Sequence, residues 1–326
     1  MTMNILVTGA GGFVGDALCR RLAAAGYGVV GQFRNPPPET AWMETRITGD
    51  LTGISDFGPL VEGMDVVIHL AARVHMMRDT TADPEAAFLQ ANADVTRRLA
   101  QVAAEKGVDR FVFLSSVKVN GEATPAAPFT ETDPPAPEDA YGRSKLAAEN
   151  ALAEISAKTQ LPVTTLRIPL VYGPGVRANF ASLIGLCDSQ LPVPLTGITA
   201  NRRSLLFLGN LTQAIECVVA AGEIPSGTFL LSDRDDLSTA DLVRHLRRCL
   251  NRSVCGIPVP GQAIAALAAM AGKRAAADRL CGSLQVDPSL FCETFDWTPP
   301  FSAAQGFAAT VARHRAIDWP LRSLPY

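Results

Sequence analysis

The sequence predicts an α/β protein: a doubly wound parallel sheet with a smaller C-terminal α/β lobe. Three observations carry this prediction. Strand-like and helix-like segments alternate through the first half, the pattern of βα units on a parallel sheet. A glycine-rich turn, Val7-Thr8-Gly9-Ala10-Gly11-Gly12-Phe13-Val14-Gly15, joins the first strand to the first helix. The length of 326 residues exceeds what one core usually holds.

The elements follow in order. Asn4–Thr8 is an apolar strand, and 13–25 is a helix stopped by Gly26. Gly28–Phe33 is a second strand, followed by a loop at Asn35-Pro36-Pro37-Pro38 that cannot be helix interior. Residues 46–50 are a short strand candidate, and 65–70 a buried strand. Residues 84–106 read as one long helix ended by Gly107. Residues 110–115 form another buried strand, and a Pro-rich loop over 124–137 leads to a helix carrying Tyr141. The next strand is 162–168. Past Tyr172-Gly173-Pro174 the alternation fades, so 1–173 is assigned to the sheet domain and 174–326 mainly to the second lobe, with some later segments crossing back. The alanine-rich stretch 263–271 is too short to span a bilayer and is expected as a buried helix.

Bulk properties exclude several classes. Net charge is −3 and 19% of residues are charged, which argues against a nucleic-acid binder. Seven cysteines lack any C-x-x-C spacing, and His69, His75, His245 and His314 show no ligand spacing with them. No metal is expected, and the cysteines suit a reducing compartment. No basic leader or cleavage site opens the chain, so a cytoplasmic protein with no membrane contact is expected.

Gly9, Gly12 and Gly15 have G-x-x-G-x-x-G spacing between a strand and a helix. That places helix N–H groups and a favourable dipole beneath a pyrophosphate, as in a Rossmann dinucleotide site. An acid about 20 residues on usually binds the adenosine ribose. Gln32-Phe33-Arg34 stands there instead, and an arginine suits a 2′-phosphate. The cofactor is therefore read as NADP or NAD, with NADP favoured by Arg34. Tyr141 and Lys145 lie four residues apart, on one helix face. A phosphate cradle with such a pair points to hydride and proton transfer.

These motifs, recurring in order over essentially the whole length, resemble the extended branch of the short-chain dehydrogenase/reductase superfamily. The resemblance implies the remaining roles. Phe13 and Val14 belong to the cofactor turn. Asp50-Leu51 stands where the family contacts adenine, and Leu70-Ala71-Ala72 where a small-residue turn lies beneath the cofactor. Asn92 matches an asparagine near the active site. Ser116, five residues before Gly121, matches the catalytic Ser/Thr that bonds the substrate oxygen. Tyr141 exchanges the proton, and Lys145 bonds the nicotinamide ribose and lowers the tyrosine pKa. Leu166-Arg167-Ile168-Pro169-Leu170-Val171-Tyr172-Gly173-Pro174 matches the strand and turn beside the nicotinamide, bringing Pro169 to the cofactor.

The resemblance narrows to nucleotide-sugar epimerases and reductases, within a subgroup linked to bacterial surface polysaccharides. Asn179 and Arg203 match residues that hold the nucleotide diphosphate, and Arg203 offers the bidentate fork for that task. Lys118-Val119-Asn120-Gly121 departs from the common Thr-Val-Tyr-Gly, bringing Lys118 and Asn120 to the pocket mouth. Val117-Lys118 replaces the Asp-Glu pair of family dehydratases, which disfavours dehydration. The implied reaction is at C4 of a UDP-sugar: a UDP-hexose 4-epimerase or a UDP-4-keto-sugar reductase. Alternatives are an NADPH-dependent ketone reductase on a non-nucleotide substrate, against which Asn179 and Arg203 argue, and a non-catalytic NADP-sensing protein, against which Tyr141 and Lys145 argue. A homodimer through two paired long helices is also implied.

Overall fold

A computed structural model describes residues 2–37, 42–74, 83–223, 225–270, 272 and 274–315. His75 and Pro38, both considered above, lie outside the described residues. Seven strands form one parallel sheet: β1 (Asn4–Thr8), β2 (Gly28–Phe33), β3 (Glu44–Ile47), β4 (Val66–His69), β5 (Arg110–Ser116), β6 (Val163–Ile168) and, entering late, β9 (Gly227–Leu230). Their order is β3-β2-β1-β4-β5-β6-β9. The chain runs outward from β1 through β2 and β3, then returns to place β4 on the other side of β1. The crevice beyond Thr8 and His69 is thus the topological switch point, where open α/β sheets bind ligands.

Alternation along the strands builds two cores. Ile5, Val7, Val66, Ile68 and Val112 face one side and pack with Leu18, Leu22 and the helix Leu208–Ala220. Leu6, Val67, Phe111 and Phe113 face the other, against Leu99, Ala148 and Leu152. A third core gathers residues after β6. There Tyr172, on the short strand β7 (Leu170–Tyr172), stacks between Phe180 and Phe307. β7 pairs in parallel with β8 (Leu205–Phe207).

Three expectations need correction. The strand expected at 46–50 is β3, displaced to Glu44–Ile47, and Asp50 lies beyond it, its side chain accepting from the Thr52 N–H. The helix expected over 84–106 is interrupted: Pro84–Leu89 and Val95–Glu105 are α-helical, and Gln90–Asp94 between them is a π-helical turn. Such a turn rotates the side chains that follow and is common at functional sites. The helix expected to be buried, Gly261–Met270, has no buried residue, and Leu267 and Met270 are exposed. Its alanines report helix propensity rather than burial. Among the described residues no helix is long and apolar enough to cross a membrane.

Candidate active site

The turn after β1 has the shape its glycines require. Gly9 adopts φ +70°, and a Cβ there would lie 3.0 Å from the Ala71 backbone. A Cβ on Gly15 would lie 2.2 Å from the Gly9 carbonyl oxygen. No side chain caps the helix Phe13–Ala24 at Gly12. Its first-turn N–H groups, at Phe13, Val14 and Gly15, therefore suit a pyrophosphate. The residues present thus fit a dinucleotide cradle.

Two part-buried hydrogen bonds brace this cradle. The Gly9 N–H donates to Gln32 Oε1 at 3.0 Å, and Gln32 Nε2 donates to Thr48 at 2.9 Å. Thr8 Oγ1 lies 2.7 Å from His69 Nδ1 and accepts from the Ala71 N–H at 3.3 Å. The turns after β1 and β4 are thereby drawn together, with Leu70, Ala71 and Ala72 half-buried beside the glycines. His69 is fully buried between Phe111 and Phe113, and its Nε2 has no partner. Burial, reinforced by the Lys145 charge, pulls its pKa from 6.5 down to about 3.

At the adenosine end, Phe33 is buried, its ring 3.2 Å from where a Gly11 Cβ would sit. Arg34 and Asp50, both exposed, pair with one another at 3.2 Å. Leu51 is buried behind Asp50. Asn92, on the π-helical turn, has its amide satisfied by protein groups: it receives the Arg73 N–H at 2.7 Å and donates to the Arg73 carbonyl at 3.0 Å and to Ser144 at 2.9 Å. Asn92 therefore ties the segment after β4 to the tyrosine helix. Pro169 is buried between β6 and β7.

Ser116 ends β5, and its Oγ accepts the Lys118 N–H at 3.3 Å. Tyr141 is the second residue of the helix Ala140–Thr159, and the Ser116 side chain stands close enough to its hydroxyl to favour ionisation. Lys145, one turn on, is buried. Its Nζ donates to the Leu114 carbonyl at 2.8 Å and lies 4.4 Å from the Phe113 ring centre and 6.0 Å from that of Tyr141. Burial draws the Lys145 pKa down to about 7, against the opposing pull of Glu149. The expected lowering of the Tyr141 pKa is not found in the chain alone. Burial and the Asp139 charge outweigh the Ser116 side chain and push the phenol up to about 12.

The substrate-side residues divide. Asn179 is exposed on the first turn of the helix Ala178–Asp188. Arg203 is half-buried, donates to the Gly282 carbonyl at 3.1 Å, and feels the charges of Glu122 and Arg279. Lys118 is not a free cation at the pocket mouth: its Nζ pairs with Glu122 at 2.6 Å and Asp139 at 2.5 Å. Asn120 is not at the mouth either. It is 2% exposed, its Oδ1 accepts from Arg167 at 3.1 Å, and its Nδ2 has no partner.

Sequence reasoning missed the network behind the serine strand. Glu149 takes a hydrogen bond from Ser115 at 2.5 Å and a 2.7 Å ion pair from Arg167. Its only local signal is its place one turn after Lys145, on the same helix face. Arg279, whose charge acts on Arg203, was not singled out either, and nothing local marks it.

Comparison with known proteins agrees with this geometry. The model of the NAD dependent epimerase/dehydratase family matches residues 5–229. A UDP-glucose 4-epimerase of Vibrio cholerae is 39% identical over 312 residues, 95% of this chain and 95% of the relative. The structure of a UDP-glucuronic acid 4-epimerase from Bacillus cereus in complex with NAD superposes with a TM-score of 0.77 at 22% identity, covering 97% of this chain and 99% of that one. A UDP-N-acetylglucosamine 4-epimerase from Bacillus cereus gives 0.76 at 19% identity, over 98% and 100%. With the glycine turn after β1 and the Ser116 end of β5 at the same edge of one parallel sheet, this chain belongs to the NAD dependent epimerase/dehydratase family, in the extended branch of the short-chain dehydrogenases/reductases.

Proposed function

We propose that this protein interconverts a UDP-hexose and its C4 epimer, using a dinucleotide that stays bound between turnovers. The observation that carries the proposal is the placement of Tyr141 close to Ser116, with the buried Lys145 one helical turn on. The Vibrio cholerae relative, alike over nearly its whole length, supports the substrate class. Bound NAD supplies a two-electron hydride acceptor and donor. Tyr141 would take the proton of the C4 hydroxyl and later return it to the same oxygen. Ser116 holds the same oxygen throughout. Lys145 binds the nicotinamide ribose and favours the phenolate. Arg203, with Arg279 and Asn179, holds the diphosphate while the sugar turns.

The pairing of Arg34 with Asp50 supports NAD, since a 2′-phosphate must compete with that carboxylate. A second reading, an NADPH-dependent UDP-4-keto-sugar reductase, rests on Arg34 and on Phe33 standing where a ribose-binding acid is usual. The test is to incubate the purified protein with UDP-glucose, UDP-galactose and UDP-N-acetylglucosamine and follow the C4 proton by NMR, with no cofactor added. Interconversion, with NAD released on denaturation, supports the epimerase. An empty site that oxidises NADPH only with a 4-keto sugar overturns it in favour of the reductase. If Arg203→Leu leaves turnover unchanged, the diphosphate assignment fails and a ketone reductase on a non-nucleotide substrate gains. A homodimer through the helices Pro84–Glu105 and Ala140–Thr159 belongs to the same proposal, and light scattering that gives a one-chain mass removes it.

A further inference from the structure

We propose that Lys118 is a positioning residue whose ammonium clamps the end of the serine strand to the N-cap of the tyrosine helix, setting Tyr141 against Ser116. Lys118 stands two residues after Ser116, and Asp139 two residues before Tyr141. The Lys118 N–H binds Ser116 Oγ at 3.3 Å, and its Nζ binds Asp139 Oδ2 at 2.5 Å. The other Asp139 oxygen caps the helix, accepting the Gly142 N–H at 2.7 Å. The backbones also meet: a Cβ on Gly142 would lie 2.7 Å from the Lys118 carbonyl oxygen. One carboxylate thus holds the helix start and the strand end together. The clamp is largely shielded, with the Lys118 side chain 25% exposed and that of Asp139 33%.

Charge acts in the same sense. Asp139 raises the Tyr141 pKa, and Lys118 lies directly on that carboxylate. Removing the ammonium takes a positive charge away from that carboxylate and leaves the phenol harder to ionise. Other groups facing Tyr141 are Lys145, Ser116 and the edge of Phe88. Burial lowers the Arg203 pKa, and Glu122, the second carboxylate on Lys118, opposes that shift. The clamp therefore borders the diphosphate site without needing to touch the substrate.

The activity arm of the test rests on the epimerase reading; a phenolate titration does not. Lys118→Met, Lys118→Arg and the double variant Lys118→Met/Asp139→Asn are compared with wild type. For Lys118→Met, kcat is expected to fall about tenfold with KM for the UDP-hexose within about twofold, since positioning acts on the proton-transfer step. Lys118→Arg keeps most of kcat, and the double variant, which restores charge balance, recovers part of it. Ultraviolet titration, each protein measured against its own Tyr141→Phe background, shows the Tyr141 midpoint rising in Lys118→Met. A raised KM at unchanged kcat makes Lys118 a substrate ligand and overturns the proposal. Unchanged kcat together with an unchanged midpoint overturns it as well. If wild type does not interconvert UDP-hexoses, the epimerase reading falls and the titration alone decides this proposal. Should Lys118→Met not fold, Asp139→Asn keeps a cap acceptor and drops the charge: a lowered Tyr141 midpoint supports the clamp, and an unchanged one overturns it.

Discussion

Ser115 and Glu149 are joined by a buried 2.5 Å hydrogen bond that ties the serine strand to the middle of the tyrosine helix. The same carboxylate takes Nη2 of Arg167 at 2.7 Å and its Nε at 3.1 and 3.2 Å. Arg167 passes the network on to Asn120 at 3.1 Å. Strand β5, strand β6 and the helix bearing Lys145 are thus cross-linked just behind the reacting groups.

Breaking that network is expected to cost stability. Glu149→Leu leaves Arg167 as a buried, unpaired cation and should destabilise the fold by about 3–5 kcal/mol. Glu149→Leu combined with Arg167→Met removes both charges and should recover most of that loss. Urea denaturation of both variants checks this; equal losses would mean that the pair is not energetically coupled.

Tyr141→Phe and Ser116→Ala each remove one hydroxyl of the catalytic pair. Turnover should fall by about 10²–10⁴-fold, the range for loss of a general acid-base group. Bound dinucleotide, measured after denaturation, should stay near the wild-type ratio in both variants, because neither residue belongs to the pyrophosphate cradle.

Gly15→Ala places a methyl group where the Gly9 carbonyl oxygen already stands. The turn must open, at a cost of about 1–3 kcal/mol, and the purified variant should carry little or no dinucleotide. Gly53→Ala meets nothing within 4 Å and should keep the wild-type content. Mass spectrometry of the released nucleotide distinguishes the two.

His69 makes stability depend on pH in a defined direction. Its pKa is 6.5 when solvated and about 3 in the fold, so between those values the unfolded chain binds more protons. The stabilising contribution of the neutral imidazole is fully present above pH 6.5. It is lost progressively as pH falls toward about 3. Melting curves across that window should show the loss, and His69→Phe should have a shallower dependence. An identical slope in the variant would assign the effect to other groups.

The amino-acid sequence by itself made legible the parallel α/β sheet, the glycine turn and the one-turn spacing of Tyr141 and Lys145, while Ser116 was placed by resemblance. Each is written in short-range order: alternation along a strand, glycines at fixed steps through one turn, two side chains one helical turn apart. Only the tertiary structure decided what Lys118, Asn120, Arg34 and Asn92 do. One partner of Lys118, Glu122, is four residues on, but the other, Asp139, lies 21 residues away, and the partner of Asn120 lies 47 residues away. Arg34 meets Asp50 across two strand ends, and Asn92 reaches Arg73 and Ser144 through a π-helical turn that the apolar periodicity of the helix does not betray. Whether a polar side chain faces a ligand, a counter-ion or the interior depends on which distant segment packs against it. That is set by the closing of the whole fold, and no local pattern of residues records it.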